Sequence, residues 1–188
     1  MKPDFTFAFA IAVLILASPH LQAHSEGQIA DTTVIVVRHA EKVSDDRDPV
    51  LSEKGKDRAR VLAQMLGETA IDAIYTTQYL RTRQTAEPLA ARLNLDAIAL
   101  EATDTHISEL ADRIRTAHRG HVVLIVGHSN TVPAILAALG ASDSRPIGDE
   151  EYDHLYILTI RGDDTAQLLT LRYGAAGASP AHAARVKR

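Results

Sequence analysis

Short runs of mainly apolar residues alternate along this chain with segments whose apolar residues recur every three or four positions. Residues 32–37 form one continuous run and residues 122–126 another, as expected for strands buried on both faces of a sheet. Weaker strand patterns cover residues 71–75, 97–100, 154–160 and 166–171. The last two flank Gly162-Asp163-Asp164, a turn sequence that predicts a hairpin.

Segments with the helical period separate most of these strands. They run from an opening at 51–55 to Leu66, and over 80–93, 108–118 and 131–139. Ser52 is the predicted N-cap of the first helix, and Pro88 is expected to kink the second. Strands that alternate with helices indicate a three-layer α/β/α sandwich around a mostly parallel sheet, with an antiparallel edge.

The N-terminal segment has the pattern of a secretory signal peptide. Lys2 precedes an apolar run over 5–17, and Ala23 offers a small residue for cleavage. We therefore expect residues 1–23 to be removed and the protein to be exported, to a periplasm or out of the cell. The run is shorter than the roughly 20 residues of a membrane-spanning helix, so no stable span is expected after cleavage. An uncleaved anchor is the alternative, because Asp4 offsets the charge of Lys2.

The C-terminal segment from Gly174 is rich in alanine and glycine and carries basic but no acidic residues. We predict a flexible basic tail over 174–188, which leaves one domain over 24–173. The chain has a net charge of −4, and without the basic tail the domain carries about −7. A body of this charge is a poor general binder of nucleic acid, so an anionic ligand would need local arginines.

The composition excludes several kinds of site. The chain has no cysteine, which rules out disulfides, thiolate nucleophiles, zinc–thiolate sites and a lipid-modified cysteine. Imidazole, which is substantially neutral at physiological pH, is one of the side chains able to form a covalent phosphoryl intermediate. The oligomeric state is not encoded in any pattern of this sequence.

Two histidines follow two of the predicted strands directly. Arg38-His39 comes after residues 32–37, and His128 comes after residues 122–126. The carboxyl ends of parallel strands meet at one edge of a sheet, where ligands bind, so we expect both histidines in one pocket. Arg81 lies in the first turn of the next predicted helix, whose N-terminus adds backbone donors. Guanidinium forks and neutral imidazole suit a phosphoryl group.

A divalent metal is the alternative ligand for the same edge. His39, Glu41 and His128 supply imidazole and carboxylate, the groups that zinc or manganese accepts. Two arginines aimed at the pocket would oppose a cation, however. We therefore expect no metal and no cofactor.

Four segments of the chain resemble the motifs of a known family. They are Arg38-His39-Ala40-Glu41, Leu51-Ser52-Glu53-Lys54-Gly55, the stretch from Tyr75-Thr76-Thr77 to Gln84-Thr85-Ala86, and Gly127-His128-Ser129-Asn130. In this order and at this spacing they resemble the histidine phosphatase superfamily, also called the phosphoglycerate mutase-like group. The resemblance implies a phosphoglycerate mutase-like fold and an acid-type phosphatase that acts on phosphoryl groups without a cofactor.

The resemblance also implies roles for particular side chains. His39 would be the nucleophile that forms a phosphohistidine, and Arg38, Arg81 and His128 would bind the phosphoryl oxygens. Two further candidates for phosphate binding are Thr77 and Asn130.

The general acid is where this chain departs from the family pattern. Many relatives carry a carboxylate after the helix of the second arginine, which here means Glu101 or Asp104, and Glu41 is a third candidate. Without an acid in reach, substrates with good leaving groups, such as a phosphohistidine or a phosphoanhydride, would be favoured. A phosphate-binding module of the same fold without efficient turnover is the alternative function.

Hydrolysis is expected rather than transfer between substrate positions. Only about thirty residues separate Arg81 from the predicted helix at 108–118, which leaves little chain for a lid that would retain an intermediate. The expected substrate is a small phosphorylated compound or a phosphoprotein. Specificity is expected from the loops at 42–50, 100–107 and 140–152.

Overall fold

The structure is a computed structural model that describes residues 30–141 and 145–176. The predicted signal peptide at 1–23 lies outside these residues, as do residues 24–29 and the part of the predicted tail after Ala176. Within the described ranges, no helix has the length and apolar character needed to cross a membrane.

Strands and helices alternate in the described chain as far as the last helix, and a hairpin follows. In chain order the elements are β1 (Thr32–Arg38), α1 (Glu53–Leu66), β2 (Ala73–Thr77), α2 (Leu80–Leu93), β3 (Ala97–Leu100), α3 (His106–Ala117), β4 (Val122–Gly127), α4 (Thr131–Ala138), β5 (His154–Ile160) and β6 (Ala166–Arg172). Each predicted strand and helix is present, and α2 continues through Pro88.

Strand β2 differs most from the prediction, since it begins and ends two residues later. Ile71 is buried and apolar, but its amide donates to the carbonyl of Thr69 in the turn after α1. At its other end β2 includes two threonines, and Thr77 pairs with Leu100 of β3. Hydropathy cannot distinguish a buried turn residue from a strand residue, nor a paired threonine from a loop.

The six strands form one sheet in the order β3-β2-β4-β1-β5-β6. The first four strands in this order, β3, β2, β4 and β1, are parallel to one another. Strand β5 is antiparallel to β1, and β6 is antiparallel to β5. The prediction of a mostly parallel sheet with an antiparallel edge is therefore confirmed, and the carboxyl ends of β1 to β4 share one edge.

The central strand β1 buries both of its faces. Val34 and Val36 pack into the core formed with α3 and α4, whereas Ile35 and Val37 pack into the core formed with α1 and α2. Because successive side chains of a strand point to opposite faces, a strand between two helical layers must be apolar at every position. This explains the unbroken apolar run and completes the three-layer sandwich.

Helix α1 starts where the chain returns beneath the end of β1. The Ser52 hydroxyl accepts a hydrogen bond from the amide of Gly55 at 3.2 Å, which confirms the predicted cap. The carbonyl of Glu41 accepts the Ser52 amide at 2.9 Å. Gly55 lies against this carbonyl, and a Cβ at this position would overlap it. The absence of a side chain at Gly55 thus permits the helix to approach the segment that follows β1.

Substitution of Gly55 by alanine should destabilise the fold. The added methyl must displace the backbone at Glu41, and overpacking of this kind costs roughly 1–3 kcal/mol. The free energy of unfolding from urea denaturation measures the loss. Lys56→Ala, at an exposed position of the same helix, is the control and should change it by less than about 0.5 kcal/mol. Equal stabilities of the two variants would contradict the close approach.

Candidate active site

The pairing of β1 with β4 brings the two predicted site histidines together. Arg38 at the end of β1 is in register with Gly127 at the end of β4. The amide of His39 donates to the carbonyl of Gly127 at 2.8 Å, and the His39 and His128 ring centroids are 5.3 Å apart. Two side chains about 90 residues apart in sequence therefore line one pocket at the carboxyl edge of the sheet.

Burial keeps both imidazoles neutral. Burial, and to a smaller extent the positive charge of Arg38, lower the pKa of His39 from 6.5 to about 3, although its hydrogen bond to the Ala40 carbonyl acts in the opposite direction. Burial also lowers the pKa of His128 to about 4, with Arg81 as the next cause. Protonation of either ring would add a cation to a desolvated site that already holds arginines.

The hydrogen bond of His39 decides which ring nitrogen is free. Nδ1 lies 2.8 Å from the carbonyl oxygen of Ala40, and a carbonyl can only accept. In the neutral ring Nδ1 therefore carries the proton, and Nε2 carries a lone pair. A neutral Nε2 can attack an electrophile without first losing a proton.

Arg38 is buried beside His39, and backbone carbonyls hold its guanidinium. Nη1 donates to the carbonyl oxygens of Gly148 and Asp149, both at 2.8 Å. The guanidinium lies 4.1 Å from the ring centroid of Tyr152, a cation–π distance. Nε is buried and has no hydrogen-bond partner among the described residues. A buried N–H without an acceptor suits an anionic ligand.

Arg81 reaches the His128 side of the pocket. Its guanidinium lies 4.4 Å from the ring centroid of Tyr79, and that ring meets the His128 ring edge-on at 5.5 Å. Arg81 also contributes to the lowered pKa of both histidines. The second predicted arginine therefore shares the electrostatic environment of the two rings.

The loop before α1 supports the start of α2, on which Arg81 stands. The Tyr79 side chain makes no capping hydrogen bond, but the Asp48 carboxylate accepts the amide of Leu80 at 2.8 Å. Arg81 donates to the carbonyl of Arg47 at 3.2 Å and lies 3.8 Å from the Asp48 carboxylate. The mixed charges of this loop carried no clear signal in the sequence, yet Asp48 replaces a missing helix cap.

Threonine hydroxyls order the remaining polar groups of the pocket. Thr77 is buried and forms hydrogen bonds with Nε2 of His128 at 3.0 Å and with the hydroxyl of Thr82 at 2.9 Å. The hydroxyl of Thr131 accepts the His128 amide at 2.9 Å. Thr85 accepts the amide of Ala40 and donates to the carbonyl of Arg81, so it links the nucleophile segment to α2. The sequence pointed to Thr77 but missed Thr82 and Thr131.

Asn130 and the general-acid candidates Glu101 and Asp104 make fewer contacts with the rest of the pocket. Asn130 is exposed and makes no side-chain cap to α4. Glu101 and Asp104 lie in the exposed loop after β3, and neither carboxylate forms a hydrogen bond or ion pair among the described residues. These candidates border the carboxyl edge of the sheet without a contact to either histidine.

Glu41 points away from the nucleophile into a buried ion pair. Its two oxygens accept from Arg58 at 2.9 and 2.8 Å, and Lys54 lies 3.3 Å away. Burial alone would raise the pKa of Glu41, but the hydrogen bonds from Arg58 and Lys54 outweigh it and hold the pKa below its usual range. A carboxylate ionised in this way has no proton to donate. It is also engaged too fully to ligate a metal.

The described residues contain no group of three or more histidine, cysteine, aspartate or glutamate side chains arranged to hold a metal ion. The sequence reasoning missed Tyr79 and Tyr152, whose rings flank Arg81 and Arg38. Neither tyrosine lies in a periodic pattern. The only feature of the sequence that could have indicated a role for either tyrosine is its position beside a predicted strand end or in a predicted loop.

The chain is similar to several known phosphatases. The phosphoserine phosphatase 1 of Hydrogenobacter thermophilus is 40% identical over 72 residues, which cover 35% of this chain and 34% of the relative. The chain thus aligns with about a third of the length of that relative. The tungstate complex of the protein histidine phosphatase SixA superposes with a TM-score of 0.61 at 19% identity, over 74% of this chain and 96% of SixA.

A mycobacterial glucosyl-3-phosphoglycerate phosphatase superposes with a TM-score of 0.60 at 15% identity, over 78% of this chain and all of the other. At these identities the superpositions establish the fold. The sequence model of branch 1 of the histidine phosphatase superfamily matches residues 34–105, which contain Arg38, His39 and Arg81. Over these residues the chain is similar to the histidine phosphatase superfamily, and the described domain has the same fold as the superposed phosphatases.

Proposed function

We propose that this protein is a phosphatase that hydrolyses phosphoryl compounds through a phosphohistidine formed on His39. The observation that carries the proposal is a buried, neutral imidazole whose Nε2 has a lone pair and which lies in the electrostatic field of Arg38 and Arg81. The unpartnered Nε–H of Arg38 and the nearby Arg81 would bind phosphoryl oxygens. Phosphoryl transfer depends mainly on such positioning and charge matching.

The reaction has two steps. In the first, the Nε2 lone pair of His39 forms a bond to phosphorus while the bond to the leaving group breaks, and the leaving group takes up a proton. In the second, water attacks phosphorus, the N–P bond breaks, and inorganic phosphate is released. Arg38, Arg81 and His128 would stabilise the charge that spreads over the phosphoryl oxygens in both steps.

The substrate class follows from which group can protonate the leaving atom. Glu41 is ionised in its pair with Arg58, while Glu101 and Asp104 are exposed. With no carboxylate against His39 in the described chain, leaving groups that need little protonation are favoured. A phosphohistidine in a protein or a phosphoanhydride fits this condition, and small phosphomonoesters would react if Glu101 or Asp104 reaches the leaving oxygen.

The proposal includes export of the protein. Its support is the apolar run at 5–17 with Lys2 before it and Ala23 after it. The substrate would then be a phosphorylated compound or protein outside the cytoplasm, and the negative domain argues against nucleic acid.

Replacing the nucleophile should abolish turnover. His39→Ala removes the only group proposed to bond to phosphorus, so p-nitrophenyl phosphate hydrolysis in the presence of chelator should fall to background. Acid-labile phosphate trapped on the wild-type protein should disappear as well. His121→Ala, an exposed histidine at the opposite edge of the sheet, is the control and should retain full activity. Activity near wild type in the His39 variant would refute the mechanism. Phosphate binding without turnover in the wild type would favour a binding module.

The two site histidines should remain neutral where ordinary histidines titrate. Their folded pKa values of about 3 and 4 lie below the unfolded value of 6.5, so the unfolded state binds more protons below pH 6.5. Their burial therefore costs stability as pH falls from 6.5 towards 4 and costs none above it. In NMR titrations from about pH 5 to 8, resonances assigned through the His39→Ala and His128→Ala variants should keep their neutral positions. A midpoint near 6.5 would contradict a desolvated pair.

The general acid should be identifiable from how strongly its loss changes kcat/KM for substrates with different leaving groups. Glu101→Gln and Asp104→Asn each remove one candidate proton donor with little change in size. Loss of the true acid should reduce kcat/KM by roughly 10²–10⁴-fold for an alkyl phosphate and far less for p-nitrophenyl phosphate. If neither variant discriminates between these substrates, the enzyme works without a carboxylic acid donor, as expected for phosphohistidine substrates.

A further inference from the structure

The loop before β5 holds one nitrogen of Arg38 entirely through backbone carbonyls. Nη1 donates to the carbonyl oxygens of Gly148, Asp149 and Glu151 at 2.8, 2.8 and 3.4 Å. These acceptors orient the guanidinium without neutralising it, because a carbonyl carries no net charge. The direction in which the remaining Arg38 donors point therefore depends on the conformation of residues 148–151.

Glu151 is hydrogen-bonded to this loop through both its side chain and its amide. It is 4% exposed, and Oε2 accepts the amide of Gly148 at 2.9 Å, while the Glu151 amide donates to the Gly148 carbonyl at 3.0 Å. These two bonds close the loop into a tight ring. The carbonyl that accepts the Glu151 amide is also one of the Arg38 acceptors.

A second layer of charges fixes Glu151 itself. Arg145 donates two hydrogen bonds to its carboxylate, at 3.0 and 2.8 Å, and a third to Nε2 of His154 at 2.9 Å. The hydrogen bonds from Arg145 and from the Gly148 amide lower the pKa of Glu151 to about 2, against the effect of burial. Arg172 of β6 lies 3.9 Å from the same carboxylate. The loop is thereby anchored to the antiparallel edge of the sheet.

We propose that Glu151 is a positioning residue for phosphoryl binding: it shapes the 148–151 loop so that the carbonyls aim Arg38 at the phosphoryl group. The inference rests on the proposed function, in which Arg38 binds phosphoryl oxygens. Glu151 contacts neither His39 nor the space between the two imidazoles. Its effect passes through the backbone of one loop to one guanidinium.

Loss of the carboxylate should disturb this loop more than the fold. Ile147 remains buried in the core on the α3 and α4 side and anchors the loop independently. Without Glu151 the Gly148 amide loses its acceptor, and the carbonyls that hold Nη1 are free to shift. A displacement of about 1 Å at a positioning group is enough to reduce the rate by about 10²-fold.

The test compares Glu151→Gln and Glu151→Ala with Glu150→Gln in the whole protein. Glu150 is the adjacent, exposed carboxylate, and like Glu151 it lies near Arg38, so its variant controls for lost charge. We expect kcat/KM for p-nitrophenyl phosphate to fall about 100-fold in Glu151→Ala and about 10-fold in Glu151→Gln, which keeps one acceptor oxygen. Glu150→Gln should stay within about threefold of wild type.

Two further readouts separate positioning from a merely structural role. The affinity for inorganic phosphate, measured by calorimetry, should fall in the Glu151 variants in parallel with kcat/KM, with thermal unfolding confirming that the protein is folded at the assay temperature. An Arg38→Lys variant lacks the guanidinium fork that the loop is proposed to aim. In this background Glu151→Gln should therefore change kcat/KM by less than about threefold. If Glu151→Ala does not fold, the isosteric Gln variant carries both measurements.

The outcomes distinguish this inference from the proposed function. Undiminished phosphate affinity in the Glu151 variants, or an equal loss in the wild-type and Arg38→Lys backgrounds, would overturn the positioning role even in an active phosphatase. A wild-type protein that binds phosphate in a Glu151-dependent way but never turns over would defeat the catalytic proposal and sustain the inference. A wild-type protein that does not bind phosphate at all would overturn both.

Discussion

The parallel pairing of β1 with β4 is the constraint on which the rest of the site depends. Its register puts Arg38 opposite Gly127, and the bond from the His39 amide to the Gly127 carbonyl continues the ladder one residue beyond the strands. His39 and His128 consequently leave the sheet side by side. A slip of one residue would turn the buried side chains of β1 to the wrong helical layer, so the packing of both cores enforces the register.

The pocket keeps positive charge in part because uncharged backbone carbonyls orient Arg38. Carbonyls hold Arg38, while the nearest buried carboxylates, Glu41 and Glu151, are each paired with another arginine, Arg58 or Arg145. The two imidazoles respond to burial and to the uncompensated charge by remaining neutral. The same field thus serves two purposes, since it attracts an anion and preserves the lone pair that would attack it.

Prediction from sequence worked best where one physical rule acts locally. Burial on both faces makes β1 and β4 continuously apolar. The Ser52 hydroxyl caps α1 by accepting the amide of Gly55, three residues later in the chain. Prediction from sequence was weaker for Glu41, which became a candidate general acid because it is close to His39 in the chain. In the folded protein both carboxylate oxygens of Glu41 instead accept hydrogen bonds from Arg58 of α1, a contact between segments that sequence proximity to His39 does not reveal. Asp48 and Glu151 gave no signal, because their partners Leu80 and Arg38 are remote in the chain.

The amino-acid sequence by itself determined the order of strands and helices, the parallel sheet with its antiparallel edge, and the two strand ends that carry Arg38-His39 and His128. Each of these features is encoded by residues close together in the chain, either as a periodic pattern of apolar side chains or as a position at the end of a strand. Only the tertiary structure decided which nitrogen of His39 is free, how burial shifts both histidine pKa values, and which loops orient the two arginines. Those properties arise from contacts between segments that meet only after folding, and from the desolvation that folding produces.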